Sequence, residues 1–138
     1  MVVRNMEASL AFYLALGFVL FKRELEEGPF IESVVGIPQV RLETAKLKAR
    51  DDSMLELLQY HSHPAEQRYV KAPSNQLGCS HIAFTVDSIE STCRQLQRLG
   101  GSIVNSPLLS PSGQVKVAYV HDLDGILLEL VEEIKLDS

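Results

Sequence analysis

Two stretches decide the fold: MLELLQ (residues 54–59) and LLELVE (residues 127–132), which match position by position at a shift of 73 in the numbering. Each stretch places one acidic residue, Glu56 or Glu129, between apolar neighbours. Side chains of a β-strand alternate between its two faces, so each glutamate shares its face with apolar residues two positions away. A carboxylate buried there without a counter-charge costs several kcal/mol. The two stretches therefore predict equivalent strands whose carboxylates need a positive partner.

A second internal match links the start of the chain to residues 86–100 at a shift of 83 in the numbering. The segments NMEASLAFYLALGF (residues 5–18) and SIESTCRQLQRLGG (residues 88–101) each have an apolar-Glu pair and a Leu-Gly end, with Asn5 as the predicted cap of the first and Asp87 or Ser88 as that of the second. Caps and terminal glycines of this kind delimit helices. A ten-residue insertion in the first half accounts for the difference between the two shifts. The chain is thus predicted to contain one structural module twice.

Predicted strands complete both halves. The second half has the order strand, helix, strand, strand, strand, with its strands at residues 80–86, 102–109, 114–122 and 125–133. The first half has the order helix, strand, strand, strand, with its strands at residues 18–25, 40–49 and 54–60, and lacks most of an opening strand. FIESVVGIP (residues 30–38) is interpreted as a helical turn or irregular insertion. The predicted organisation is a single domain, 1–138, with module 1 at 1–60, a polar linker at 61–78 and module 2 at 79–138.

The composition argues against a nucleic-acid-binding protein and against a membrane-spanning one. The 138 residues carry 13 basic and 18 acidic side chains and a formal net charge of -5, without a basic stripe to neutralise phosphates. No nucleic-acid partner is expected. No apolar run approaches the ~20 residues needed to cross a bilayer. The two cysteines form no CxxC pattern and are expected to be reduced thiols of a cytoplasmic protein.

Three side chains are candidate metal ligands. His81 lies at the start of a predicted strand, and Glu56 and Glu129 lie at equivalent positions of the repeated strand. Together they suggest one cation as a shared partner. Carboxylate and imidazole ligands suit a divalent ion such as Ni, Co, Zn, Fe or Mn. We therefore expect Glu56, His81 and Glu129 to line one metal-binding cavity.

Four segments carry a family resemblance: residues 3–18, 55–60, 78–90 and HDLDGILLELVEE (residues 121–133). Through them the sequence resembles the vicinal-oxygen-chelate superfamily of glyoxalases, bleomycin resistance proteins and extradiol dioxygenases. The resemblance implies an α+β fold of two βαβββ modules whose sheets curl around a shared cleft, with the first strand of module 1 largely missing. It also implies that Glu56, His81 and Glu129 are three of four metal ligands. A shift of 83 places the fourth three residues upstream of Met1, which leaves two explanations open, a truncated sequence or a natural short form.

The resemblance implies a glyoxalase-type, metal-dependent lyase or isomerase that acts on a small oxygenated metabolite. Glu129, and secondarily Glu56, would be the catalytic base. Two alternatives remain, a ligand-sequestering protein of the bleomycin-resistance type and an extradiol-type dioxygenase. An arginine that grips glutathione in true glyoxalase I aligns with Val2, which argues against a glutathione adduct as the substrate. The exposed sheet edge left by the missing strand predicts a homodimer.

Other polar residues receive simpler interpretations. His61 and His63 are expected in a solvated loop, although either is an alternative source of the missing histidine ligand. His121 is predicted to be a surface residue beside a turn. Glu132 and Glu133 are predicted to form a solvated strand end.

Overall fold

The computed structural model describes residues 1–65, 71–78 and 81–135 of this mixed α+β protein. Part of the predicted linker and the first residue of the strand predicted over 80–86 lie outside those ranges. The chain divides into two compact units, residues 1–68 and 69–138, and the division falls inside the predicted linker. The predicted module limits at residues 60 and 79 stay predictions. Within the described ranges, no helix has the length and apolar character needed to cross a membrane.

The first unit is a three-stranded antiparallel sheet with order β1-β2-β3 and two helices. Its elements are α1 (Met6–Leu14), β1 (Val19–Glu26), α2 (Pro29–Val35), β2 (Leu42–Lys48) and β3 (Met54–Tyr60). Helix α1 begins after Asn5, whose Oδ1 accepts a hydrogen bond from Ala8 N at 3.1 Å, as the sequence predicts. The chain leaves α1 through Gly17, whose φ of 97° is the left-handed region that favours glycine.

Residues 1–3 pair with β3 in parallel. Val2 bridges Leu58 of β3 in parallel, with Val3 N donating to the Leu58 carbonyl and Leu58 N donating to the Met1 carbonyl, both at 2.8 Å. In the second unit, Thr85 pairs with Val131 in parallel. The two sequence shifts map the first pair onto the second, so the backbone pairing repeats as the sequence does.

The second unit is a five-stranded sheet with a single helix among its described residues. Strands β4, β8, β7 and β5 are adjacent in that order, and β6 pairs with β7. The elements are β4 (Ile82–Thr85), α3 (Ile89–Arg98), β5 (Ser102–Ile103), β6 (Leu108–Leu109), β7 (Val115–His121) and β8 (Leu127–Glu133). Strand β4 pairs with β8 in parallel, and β8 pairs with β7 antiparallel.

The continuous strand predicted over residues 102–109 is wrong, because the segment forms two separate short strands, β5 and β6. Pro107 lies between them and has no N–H to donate to a neighbouring strand. Asn105 takes over part of the pairing, since its Oδ1 accepts a hydrogen bond from Tyr119 N at 2.8 Å.

The last strand of each unit caps the helix of that unit. Gln59 Oε1 accepts a hydrogen bond from Met6 N at 2.7 Å, and Glu132 Oε2 accepts one from Ile89 N at 2.8 Å. These acceptors satisfy amides that have no partner inside the helix. The prediction that Glu132 belongs to a solvated strand end is therefore wrong for this residue. Its carboxylate is partly buried at the positive end of α3.

The prediction that His121 lies on the surface is also wrong. Its residue surface is only 8% exposed, and its Nε2 lies 2.7 Å from the carbonyl oxygen of Ala72. Ala72 N in turn donates to the carbonyl of Gly125 at 3.1 Å. Residues of the polar segment 71–78 thus pack against the end of β7, which a reading of local polarity does not reveal.

Candidate metal centre

The second unit brings two of the predicted ligands together. His81 immediately precedes β4, and Glu129 lies in the middle of β8, the parallel neighbour of that strand. His81 Nε2 lies 3.0 Å from Glu129 Oε2, and the side chains are 30% and 24% exposed. Both groups are therefore held by the sheet while solvent still reaches them.

Tyr119 of β7 supports this pair. It stands directly opposite Glu129 in the β7–β8 register. Its ring meets the His81 imidazole edge to face, with ring centroids 5.2 Å apart and planes inclined at 83°. An edge-to-face contact of this kind favours the ring orientation in which the imidazole Nε2 lies near the Glu129 carboxylate.

The donor set of this pair fits a divalent cation. An imidazole nitrogen and a carboxylate oxygen are ligands for zinc and for first-row transition metals. Their separation of 3.0 Å also permits a direct hydrogen bond, whose direction depends on the imidazole tautomer. A cation would replace that shared proton and neutralise the carboxylate.

Glu56 occupies the corresponding position in the first unit. It lies in the middle of β3, is partly buried, and stands directly opposite Lys46 of β2. Among the residues that the structure describes, no group of three His, Cys, Asp or Glu side chains is placed to hold one ion. A shared site for Glu56, His81 and Glu129 thus stays a prediction.

His61 pairs with an acidic residue of the first unit. Its Nε2 lies 2.9 Å from Glu43 Oε1, and the other carboxylate oxygen of Glu43 accepts a hydrogen bond from Arg23 Nε at 2.5 Å. Burial raises the pKa of Glu43, but the bonds from His61 and Arg23 outweigh it, so the pKa lies below its usual value. Its partner in the predicted doublet, His63, is exposed.

Tyr119 and Lys46 are the site residues that sequence reasoning missed. The shift that maps Glu56 onto Glu129 also maps Lys46 onto Tyr119, and each stands opposite a candidate ligand glutamate. Their one sequence signal was that each lies in the strand that precedes the strand with the candidate glutamate. Their pairing depends on strand register, which the turns determine.

The repeated helix caps and strand pairings place the chain among α+β proteins that are built from two related units. The model of the Glyoxalase/Bleomycin resistance protein/Dioxygenase superfamily matches residues 1–130. A relative from Neisseria meningitidis serogroup A, named lactoylglutathione lyase, is 32% identical over 133 residues, which are 95% of this chain and 85% of the relative. A probable lactoylglutathione lyase from Synechocystis is 38% identical over 55 residues, 40% of this chain and 42% of the relative.

Solved structures agree on the fold. A glyoxalase family protein from Bacillus cereus has a TM-score of 0.89 and 26% identity, covering 98% of this chain and 91% of that one. The fosfomycin resistance protein FosX from Listeria monocytogenes has a TM-score of 0.62 and 13% identity, covering 97% and 89%, a likeness of fold alone. The chain belongs to the Glyoxalase/Bleomycin resistance protein/Dioxygenase superfamily.

Proposed function

We propose that this protein is a metal-dependent lyase or isomerase of the glyoxalase type that acts on a small oxygenated metabolite. One observation carries the proposal. Glu56 and Glu129 occupy equivalent positions in the repeated strand, and Glu129 lies 3.0 Å from an imidazole nitrogen of His81. Relatives named lactoylglutathione lyase support the same reaction class.

Glu56, His81 and Glu129 are the proposed metal ligands, and Ni, Co, Zn, Fe and Mn are the candidate ions. When bound, the ion would polarise substrate oxygens and stabilise negative charge that develops on them. Two carboxylates and one imidazole leave coordination positions for such oxygens. Water can occupy any position that the protein does not fill.

Glu129 is the proposed general base. Its carboxylate takes a proton from the carbon beside a substrate carbonyl and returns that proton to the neighbouring carbon, so the overall change is an isomerisation. Its 24% exposure lets a substrate approach, while the sheet fixes its position. A bound ion would hold Glu129 and His81 side by side in place of their direct contact, and Tyr119 supports the His81 ring. Glu56 is the second candidate base.

Solvent proton exchange tests this proposal. We would load the protein with nickel or cobalt in deuterated water and follow exchange on hydroxyketones and acyl thioesters by NMR. We expect exchange that Glu129→Gln slows by about 100-fold or more, the usual contribution of a general base. Glu133→Gln is the matched control, because Glu133 lies on the same strand and is exposed.

Other outcomes identify the alternatives. Binding of these molecules without exchange, in protein that holds no metal, would favour a ligand-sequestering protein of the bleomycin-resistance type. Oxygen uptake with catechols that depends on ferrous iron would favour an extradiol-type dioxygenase. Equal exchange rates in wild type and Glu129→Gln would overturn the role of Glu129.

We also propose a homodimer in the cytoplasm. Among the residues that the structure describes, β1 pairs with β2 on one side only, and its residues Val19 and Phe21 are 66% and 61% exposed. Strand edges of this kind pair with other chains unless they are protected. Light scattering that returned the mass of one chain would contradict the dimer.

A further inference from the structure

We propose that the segment 71–78 is a lid that closes over the pair of His81 and Glu129 when a ligand binds there, with Leu77 as the side chain that closure buries. The inference deepens the proposed function and rests on it for the position of the ligand. It begins from exposure. Every residue of the segment except Ala72 is exposed, and the apolar Leu77 is 94% exposed. Burial of such a side chain against a ligand is favourable.

One residue anchors the lid to the sheet of the second unit. Ala72 N donates to the carbonyl of Gly125 at 3.1 Å, and the carbonyl of Ala72 lies 2.7 Å from His121 Nε2. Because a carbonyl can only accept, His121 Nε2 is the donor of this bond. His121 is the last residue of β7, and Gly125 lies in the turn that follows it. Beyond this anchor, Gln76 N donates to the Pro73 carbonyl at 3.1 Å, so the lid forms a turn of its own.

The anchor lies on the sheet face that carries Glu129. His121 stands directly opposite Leu127, and Leu127 lies two positions before Glu129, so the three side chains share one face. The parallel register of β4 and β8 puts His81 level with Leu127. His121, Leu127 and His81 therefore form one row across the sheet. The chain leaves the sheet at one end of this row, at the anchor, and returns to it at the other end, at His81.

The chain between these two points is longer than the distance that it has to cross. Two strand spacings separate β7 from β4, about 10 Å in all. From Ala72 to His81 the extended chain would span about 30 Å, at about 3.3 Å for each residue. This excess length lets the lid move over the sheet face while Ala72 keeps its contacts. Gly78, whose φ of 106° is open to glycine, provides a hinge at the far end of the lid.

The first unit shows that this cover is not part of the repeated module. At the shift of 73 in the numbering, Lys48 corresponds to His121 and Met54 to Leu127. Met54 is 49% exposed, whereas Leu127 is 2% exposed. Lys48 is likewise more exposed than the buried His121. The lid thus adds to one unit a cover that the other lacks, and it does so beside the imidazole–carboxylate pair.

Closure changes the surroundings of that pair. In the open form, solvent reaches the side chains of both His81 and Glu129. Water around these groups weakens every electrostatic interaction that they make with a ligand, and a closed lid excludes it. Lids of this kind join ligand binding to completion of a site. Leu77 is the apolar residue of the lid that can cover an apolar part of the ligand.

Truncation of Leu77 tests the lid, because a side chain so exposed can be changed without disturbing the core. We would load wild type, Leu77→Ser and Leu109→Ser with nickel and titrate each with benzohydroxamate. This probe has two adjacent oxygens that chelate a divalent ion and an apolar ring for Leu77 to cover. Leu109 is the matched control, since it is a leucine of the same unit, 57% exposed, and lies on β6.

We expect Leu77→Ser to bind the probe about tenfold more weakly than wild type, the effect of losing the burial of about one leucine. Leu109→Ser should bind like wild type. Leu77→Ser should also keep the urea midpoint of wild type, which a structural role of Leu77 would not allow. Equal affinities of wild type and Leu77→Ser, or a wild type that does not bind the probe, would overturn the proposal.

A fluorescent reporter tests the movement itself. The chain contains no tryptophan, so Leu77→Trp introduces a single indole. We expect benzohydroxamate to reduce acrylamide quenching of this indole about twofold or more, because closure takes the ring out of water. Quenching of Leu109→Trp should not change. Quenching of Leu77→Trp that is the same with and without the probe would contradict closure.

Proton exchange on hydroxyketones separates the lid from the proposed function. Weaker binding by Leu77→Ser together with protection of the Leu77→Trp indole, but without exchange in wild type, would leave the lid standing and remove the lyase or isomerase. Exchange in wild type without either effect at Leu77 would leave the enzyme standing and remove the lid.

Discussion

The two units share a framework and differ beside the acidic residue. In both, the first backbone amide of the helix donates to a side chain of the last strand, Gln59 in one and Glu132 in the other. In both, an opening segment pairs in parallel with that strand. The residue opposite the central glutamate, however, is Lys46 in the first unit and Tyr119 in the second. Positions that hold the backbone are retained, while those beside the candidate ligands have diverged.

The two units also differ in the ion pair made by the acidic residue in the first turn of the helix. Arg23 of β1 contacts Glu7 in the first turn of α1, and Lys116 of β7 contacts Glu90 in the first turn of α3 at 2.8 Å. The helix carboxylate is equivalent in the two units at a shift of 83, but its cation comes from a different strand. The acidic residue in the first turn of the helix is therefore common to both units, whereas the basic residue that pairs with it differs between them.

The largest expected loss of stability comes from truncating a leucine at equivalent core positions of the two units. Leu57 and Leu130 correspond in the repeated strand, and both are 0% exposed. We expect Leu57→Ala and Leu130→Ala each to lower the free energy of unfolding by about 2–5 kcal/mol, because each leaves a cavity. Urea denaturation followed by circular dichroism measures both. A loss below about 1 kcal/mol at either position would contradict its placement in a packed core.

Loss of the helix cap should cost more stability in the second unit, where the acceptor is the charged Glu132, than in the first, where it is the neutral Gln59. Glu132→Ala is expected to cost about 1.5–3 kcal/mol, the contribution of a bond to a charged group, and Gln59→Ala about 1 kcal/mol. The charged acceptor also interacts with the positive end of α3. Thermal or urea unfolding of the two variants measures the difference. Glu132→Gln, which keeps an acceptor but removes the charge, should fall between wild type and Glu132→Ala.

The smallest expected effect is the pH dependence of stability that Glu43 contributes. Its counterpart in the second unit is Lys116. Because the folded pKa of Glu43 lies below its ordinary value of 4.5, its contribution is fully present above that pH. It should be lost as the pH falls from 4.5 through the folded pKa. The difference in unfolding free energy between wild type and Glu43→Gln should therefore be larger at neutral pH than in acid. A difference that stays constant or grows in acid would contradict the network with Arg23 and His61.

Much of the framework was predictable because its signals are local. The cap Asn5, the exit at Gly17 and the repeated Leu-Glu-Leu strands each follow from a few neighbouring residues, and the structure confirms them. Of the two caps predicted for α3, Asp87 and Ser88, the structure has Ser88. The α+β class and the superfamily are confirmed as well. These features survive in sequence because each depends on backbone geometry or alternation within one element.

What the sequence did not reveal depends on register and on contacts between distant segments. Burial of His121 requires the carbonyl of Ala72, which is 49 positions away in the chain. The placement of Lys46 opposite Glu56 depends on the turn between β2 and β3. The caps supplied by Gln59 and Glu132 join residues that are 53 and 43 positions apart. No local pattern encodes such pairings, so their chemical roles emerged only from the fold.

The central claim is that Glu56, His81 and Glu129 bind the same ion, and anomalous diffraction from zinc-loaded crystals tests it most directly. We expect one peak in the anomalous map, within about 2.0–2.2 Å of a carboxylate oxygen of each glutamate and of an imidazole nitrogen of His81. A peak that Glu56 does not reach, a peak at His61 or His63 instead, or no peak at all would contradict the claim.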